Sequence, residues 1–344
     1  MFLLYEKKLY FCNRYDRSRF PLNSAPERSS SFFLSIFCFM QYTKQPLSVE
    51  EQISKLEKRG LHFCNKDLST KYLQNISYYR LRAFTYPFQN NTEIADHEFI
   101  RDDIDFMDII DLYVFDKRLR SLVFSEIEKI EVALRTKLSL YYSLSENDAL
   151  WYENENIYKS SIKFQKIFSD IKSDVDRSDE EFIKHYRQKY DTPLMPPSWM
   201  TLEVVSFGIL SRLYNELISS VVKRKIANQF GIGNERIFAN WLHAFNNLRN
   251  CCAHHSRIWN RRFLVQIKLP YNTTSAFIPR KKIAKIRNNK LFAMLSAIKY
   301  VVDIISPDNS FKANMLQLLN QPNRLLSLKE MGFPPDWETL PVWK

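Results

Sequence analysis

The residues with the clearest chemical potential lie in one short run, residues 248–255, with the sequence LRNCCAHH. The run sets Arg249 and His254 in an R-x4-H spacing, with Asn250 directly after the arginine. Arginine binds phosphate through a rigid fork of donors and keeps its charge. Histidine exchanges protons near neutral pH. An arginine and a histidine together could cleave RNA without a metal ion.

In that reaction a base removes the proton of the ribose 2′-hydroxyl, which attacks the neighbouring phosphate. The products carry a 2′,3′-cyclic phosphate and a free 5′-hydroxyl, and DNA is spared. We expect His254 to act as base or acid and Arg249 to hold the phosphate and stabilise developing charge. Asn250 would orient His254 or a phosphate oxygen. Three further residues are expected to bind the RNA: His255, Arg257 and Arg261.

Hydrophobic periodicity predicts one helix over residues 235–263. At about 100° per residue, one side of this helix is an apolar stripe that we expect to be buried, made of Trp241, Phe245, Leu248, Cys252, Trp259 and Phe263. Asn250, His254, Arg257 and Arg261 share the opposite side. His255 would then be packed near the buried stripe. Arg249 and His254 would point about 140° apart. The arginine side chain could curl round, the helix could be distorted, or another subunit could complete the site. We favour a two-fold homodimer.

A metal site is the alternative use of this run. Cys251, Cys252, His254 and His255 have the composition of zinc ligands. A structural zinc needs about four converging ligands, whereas consecutive residues of a helix diverge. We therefore expect no metal and no other cofactor.

Composition narrows the function classes. The chain has 344 residues, 45% of them hydrophobic, and only 5 glycines. It contains neither a G-x-G-x-x-G motif nor a P-loop lysine motif, which disfavours nucleotide-binding folds. Residues 221–290 hold fifteen Lys and Arg and one acid, a net charge of +14 that exceeds the +12 of the whole chain. This balance favours RNA as a partner, although a solvated surface would also be basic.

The cysteines and the hydropathy predict a cytoplasmic protein. Five cysteines are too few and too irregularly spaced for a disulfide framework, which favours a reducing compartment. No apolar stretch reaches about 18 residues, so we expect no membrane association.

The patterns predict a mainly α fold with little or no β structure. Ser48 and Glu51 read as a capping box that opens a helix ending at Gly60. The further segments with helical patterns are residues 66–76, 104–142 (two helices or one long bent one), 199–218, 223–230 and 283–305. We expect residues 1–39 to form a poorly ordered or weakly attached extension and residues 40–344 to form the helical domain, with a peripheral helical insertion near 145–195.

The run also carries a family resemblance. Residues 248–261, LRNCCAHHSRIWNR, resemble the signature of the Abi-like (abortive infection, AbiD/AbiF-type) proteins of the HEPN superfamily, whose mark is R-x4–6-H. Further blocks resemble the same family: YTKQPLS at 42–48, ISYYRL at 76–81, IEVALRT at 130–136 and GFPPDW at 332–337. The resemblance covers about residues 40–344.

The resemblance implies a HEPN-like helical bundle, dimerisation and metal-independent endoribonuclease activity. It implies a bacterial anti-phage or toxin–antitoxin setting, in which an antitoxin RNA or protein is a further expected partner. It places Arg249 and His254 at the catalytic positions and Asn250 at the polar position after the arginine. Some members of the superfamily bind RNA without cutting it. A non-catalytic RNA-binding module and a helical protein-interaction module therefore remain alternatives.

Overall fold

Helices account for all the regular structure in the computed structural model, which describes residues 43–92 and 96–344. No strand occurs in these two ranges, so the predicted mainly α fold is confirmed. The proposed extension, residues 1–39, lies outside the described residues. The α-helices are α1 Val49–Lys58, α2 Lys66–Asn75, α3 Tyr78–Thr85, α4 Phe106–Glu146, α5 Ser161–Asp176, α6 Glu181–Lys189, α7 Ser198–Val204, α8 Phe207–Glu216, α9 Val221–Gln229, α10 Glu235–Ala253, α11 Arg280–Ile283, α12 Leu291–Ile305 and α13 Phe311–Leu319.

The first helix begins and ends where its sequence predicts. The Ser48 hydroxyl accepts a hydrogen bond from the amide of Glu51, and the Glu51 carboxylate accepts one from the amide of Ser48 at 2.7 Å. This reciprocal pair satisfies amides that the first helical turn leaves unpaired. Gly60 follows the helix with φ +90°, a conformation in which glycine lacks the steric penalty of other residues.

The longest periodic region folds as one helix, α4, of 41 residues. Asp105 caps its first turn with a second capping box. Because α4 carries a buried face along its length, it packs against α3, α7, α8, α9, α10, α12 and α13. It is therefore the scaffold on which the motif helix α10 is placed.

The single helix predicted over residues 199–218 is wrong, because the chain breaks between α7 and α8. Arg135 of α4 donates hydrogen bonds to the carbonyls of Glu203 and Val205. These carbonyls lie at the end of α7, where a helix leaves its last acceptors unpaired. A side chain from a distant part of the sequence thus provides hydrogen-bond donors for the carbonyls at the break.

The helix predicted over residues 283–305 is also shorter than its pattern. The last part of this range forms α12, which begins at Leu291. Lys290, directly before it, has an extended backbone with φ −110° and ψ 162°. Every residue from Leu291 to Val302 is buried, as expected for a helix that is apolar on all sides. The aromatic C-terminal end covers α12, since the Trp343 indole donates to the Ser296 hydroxyl at 2.9 Å.

Gly231 offers a sharp test of this packing. Its φ is +77°, and a Cβ built there would lie 2.2 Å from Cδ1 of Ile304 and 2.6 Å from the Tyr300 hydroxyl. We expect Gly231→Ala to lower the free energy of unfolding by about 2–4 kcal/mol, from backbone strain and overpacking together. The measurement is urea unfolding followed by circular dichroism.

Gly233→Ala is the matched control, because the nearest atom to its added Cβ is Asn228 Oδ1 at 3.9 Å. A Gly231→Ala protein as stable as Gly233→Ala would contradict the packing around Tyr300.

Candidate active site at the end of helix α10

The motif lies on the last turn of α10. Asn234 caps the start of this helix, where its side chain accepts from the amides of Arg236 and Ile237. The apolar residues of the predicted stripe within the helix are buried and face α4, α8 and α12. Arg249 and Asn250 are half-buried, and His254, the C-cap residue, is exposed.

The prediction that the helix continues to residue 263 is wrong. The chain leaves the helix at His255, whose φ is +56°. The His255 amide donates to the Cys252 carbonyl at 3.1 Å, and the Ser256 amide donates to the Cys251 carbonyl at 2.8 Å. These two bonds form a Schellman motif, with histidine at the position that glycine usually takes. His255 is consequently exposed, and the prediction that it is packed is also wrong.

A buried carboxylate on α4 holds the chain after this turn. Asp116 is fully buried and accepts from the amides of Ile258 at 3.0 Å and Trp259 at 2.6 Å. It also forms an ion pair with Arg120, one turn along α4. Burial raises the pKa of the Asp116 carboxyl, and Arg120 and the two amides oppose that rise. The loop is thereby pinned to the scaffold.

Trp259 and Phe263 are buried as predicted, but not as members of a helical stripe. The loop turns back onto the core, where Trp259 stacks on Phe84 and Phe88 with ring centroids 6.4 and 6.1 Å apart. Trp259 is therefore buried because the loop packs against α3 and the turn that follows it, and not because it lies on a helical stripe.

Arg249 packs against the long helix. Its guanidinium carbon lies 5.5 Å from the ring centroid of Phe124 on α4, within the range of a cation–π contact. The Arg249 Nε is buried and lacks a hydrogen-bond partner among the described residues. Its Nη1 is 3.5 Å from the Asn250 side-chain oxygen. The guanidinium is thus held in place without being neutralised.

Asn250 contacts both of the other catalytic candidates. Its side chain meets Arg249, and its backbone carbonyl accepts from the His254 amide at 3.0 Å. The side chains of Arg249 and His254 make no hydrogen bond with each other in the described part of the chain. On an ideal helix the five-residue spacing would place them about 140° apart.

The residues predicted to bind RNA are in three different situations. Arg257 donates to the Ala83 carbonyl of α3 and lies 5.7 Å from the Trp259 ring centroid. Arg261 donates to the Arg257 carbonyl at 3.2 Å. His255 is exposed at the turn. Arg257 and Arg261 do not share a helix face with His254, because they belong to the loop that Asp116 anchors.

Two residues of the site were missed in the sequence. Arg80 of α3 donates to the His255 carbonyl at 3.0 Å, which brings an exposed arginine to the motif. Asp116 is the other. Arg80 lies in the block ISYYRL, whose resemblance could have signalled it, whereas nothing in the α4 pattern distinguishes Asp116 from solvated carboxylates.

Three arginines near the motif lack carboxylate partners within the described ranges. Across residues 43–92 and 96–344, neither Arg80, Arg249 nor Arg261 forms an ion pair with a carboxylate. Burial raises the pKa of the Cys251 thiol, and it raises that of Cys252 to about 12. Because the thiolate is the form that is nucleophilic and ligates metals, these cysteines stay protonated at neutral pH.

A family model described as Abi-like protein matches residues 71–260 of this chain, more than half of its 344 residues. The chain belongs to the Abi-like protein family. The matched span includes Arg80, Asp116 and the motif and stops before Arg261. Membership suggests a function of the abortive-infection type. The curated proteins and the solved structures compared with this Abi-like protein include no significant match.

Among the described residues of the Abi-like protein, no helix is both long enough and apolar enough to cross a bilayer.

Proposed function

We propose that this Abi-like protein is a metal-independent endoribonuclease of an abortive-infection or toxin–antitoxin system. His254 is the general base or acid for the 2′-hydroxyl reaction. Arg249 binds the scissile phosphate and stabilises its transition state. Asn250 positions both Arg249 and His254. The products are 2′,3′-cyclic phosphate and 5′-hydroxyl ends.

One observation carries the proposal: an exposed imidazole and an arginine without a carboxylate partner lie within six residues of each other at the end of α10. Arginines paired with acids usually serve structure, whereas unpaired ones in a cluster attract phosphate. Arg80 adds a second unpaired arginine beside the His255 carbonyl. The anchored loop supplies Arg261, a further arginine that forms no ion pair in the described part of the chain.

The separation of the two side chains supports a dimeric site. Within one chain, the five-residue spacing of Arg249 and His254 would place them about 140° apart on an ideal helix. A two-fold axis near the last turn would set the arginine of one protomer against the histidine of its partner. We propose this homodimer as the cleaving form, with RNA bound across the two motifs.

A second candidate is a non-catalytic RNA-binding module. The lack of a direct bond between Arg249 and His254 favours it, because binding needs only the positive surface. It predicts salt-sensitive RNA binding and no new RNA ends.

The deciding experiment is to incubate the purified protein with total RNA in EDTA and to map the product termini. We expect cuts that carry 2′,3′-cyclic phosphates at one end and 5′-hydroxyls at the other. Intact RNA, with or without added divalent metal, would favour the binding module. Cuts that appear only with added metal, or 5′-phosphate ends, would contradict the proposed chemistry.

A further inference from the structure

A cationic cleft lies at the opposite end of α10 from the motif. It has a volume of about 640 Å³ and is formed by residues of α8, α9, the start of α10 and the segment around Lys268. Five of its lining residues are Lys or Arg and one, Glu235, is acidic. The basic residues are Lys159, Arg212, Lys223, Arg236 and Lys268.

The floor of the cleft carries a buried positive charge. Lys223 is 4% exposed, and its ammonium group donates to the backbone carbonyls of Asn215 and Leu217. Burial and the neighbouring Lys159 lower its pKa to about 8. An ammonium held in this way gains more from an arriving anion than a fully solvated one does.

Two cations of the cleft have neither an acidic partner nor a side-chain hydrogen bond among the described residues. Arg212 is paired with Asp170 at 2.6 Å, but neither Arg236 nor Lys268 forms an ion pair with any described residue. Both are exposed. The backbone near them is fixed, because the Asn240 side chain accepts from the Lys268 amide at 2.7 Å and donates to the Gln266 carbonyl at 3.2 Å. Two free cations therefore project from a rigid wall.

A polar row on α10 joins this cleft to the motif. Its members recur at steps of three and four residues, and none of them is buried. They fall within about 80° of one another around an ideal helix. The row consists of Arg236, Asn240, His243, Asn247, Asn250 and His254. Its charged end lies in the cleft, and its other end is the proposed catalytic histidine.

We propose that this cleft binds backbone phosphates of the RNA strand that the motif cuts, so that the strand follows the polar row. The choice of RNA as the ligand rests on the proposed function. His243, in the cleft, and His254 are about 16 Å apart along the helix axis. At the ~3.4 Å rise of a stacked strand, this distance corresponds to about five nucleotides. The cleft therefore acts on substrates that extend well beyond the scissile bond.

The test is equilibrium binding of a fluorescein-labelled, unstructured RNA of about 20 nucleotides by the full chain. The His254→Ala background prevents cleavage. Adding Arg236→Ala and Lys268→Ala removes two phosphate contacts. We expect binding to weaken roughly ten- to thirtyfold at about 0.1 M salt and the slope of log K against log salt to shrink by about 1.4.

The matched control is Lys58→Ala plus Lys189→Ala in the same background. These lysines are exposed and lie outside the basic segment, and their removal changes the net charge equally. Thermal unfolding of each variant checks that the fold survives. An equal loss of RNA binding in the control and cleft variants would overturn the proposal, because the effect would then come from net charge alone.

A separate arm of the same experiment asks whether the cleft binds the phosphates of RNA or those of a free nucleotide. ATP is titrated against the labelled RNA on the His254→Ala protein. Micromolar ATP binding that is lost in the cleft variant, with RNA binding unaffected, would overturn the RNA assignment in favour of a nucleotide site. If wild type cleaves RNA but the cleft variant has an unaltered slope of log K against log salt, only the proposal that the cleft binds RNA would be overturned. If wild type binds RNA through the cleft but makes no cuts, the proposed nuclease activity would be overturned and RNA binding by the cleft would be supported.

Discussion

His254→Ala is expected to lower the rate of RNA cleavage about 10²–10⁴-fold, the usual contribution of a general acid or base. The imidazole is exposed at the C-cap of α10, and its removal leaves the backbone bond from the His254 amide to the Asn250 carbonyl intact. The fold should therefore survive. The measurement is the initial rate of cleavage of a labelled RNA in EDTA, together with growth of cells that express each variant.

Arg249→Ala tests the other half of the same reaction. Loss of a group that stabilises transition-state charge costs about 10²–10³-fold. Arg249→Lys should recover little, because a lysine cannot reproduce the planar fork. In the proposed dimer, mixing Arg249→Ala with His254→Ala protein should restore part of the cleavage, since one of the two shared sites then has both residues.

Two substitutions outside the site serve as controls. His185→Ala removes an exposed histidine from α6, and Arg177→Ala removes a side chain that is 74% exposed. Both should cleave within about twofold of wild type, as surface changes away from a site usually do. Undiminished cleavage by His254→Ala would eliminate the proposed chemistry, and no restoration on mixing would argue against a site shared between subunits.

The periodic parts of this fold were predictable because local sequence determines them. The capping box at Ser48 and the long apolar stripe of α4 each gave the correct helix. The ends of α7 and α10 were not predictable, because partners distant in sequence set them. Arg135 accounts for the first break, and the bonds from Ile258 and Trp259 to Asp116 account for the turn after the second.

The candidate site also has a part that local sequence predicts and a part that depends on distant residues. Arg249, Asn250 and His254 are candidates from residue type and spacing alone, and their catalytic roles remain a prediction. The placement of Arg257 and Arg261 was wrong, since a helical wheel cannot include a left-handed residue such as His255. Arg80 approaches from 175 positions away along the chain, a contact that no single-sequence pattern encodes.

Asp116 is the residue whose loss should most reduce stability. Asp116→Ala removes the carboxylate that pairs with Arg120, of which only 6% is exposed, and leaves the amides of Ile258 and Trp259 without their acceptor. Breaking a buried pair from one side costs about 3–5 kcal/mol. We expect a loss of this size in urea unfolding, with a smaller loss for Asp116→Asn, which keeps an acceptor oxygen but not the charge.

The control on the same helix is Asp111→Ala, an exposed carboxylate whose removal should change stability by less than about 0.5 kcal/mol. Arg120→Met in the Asp116→Ala background removes the stranded charge, so the double variant should recover part of the lost stability. A coupling energy of about 0.5–3 kcal/mol between the two positions is expected for a buried pair in contact. Additive losses would show that Asp116 stabilises the protein only through the amides of the motif loop. In either case the loop that follows His254 depends on this carboxylate, so the Asp116 variants should also cleave RNA more slowly at temperatures where they remain folded.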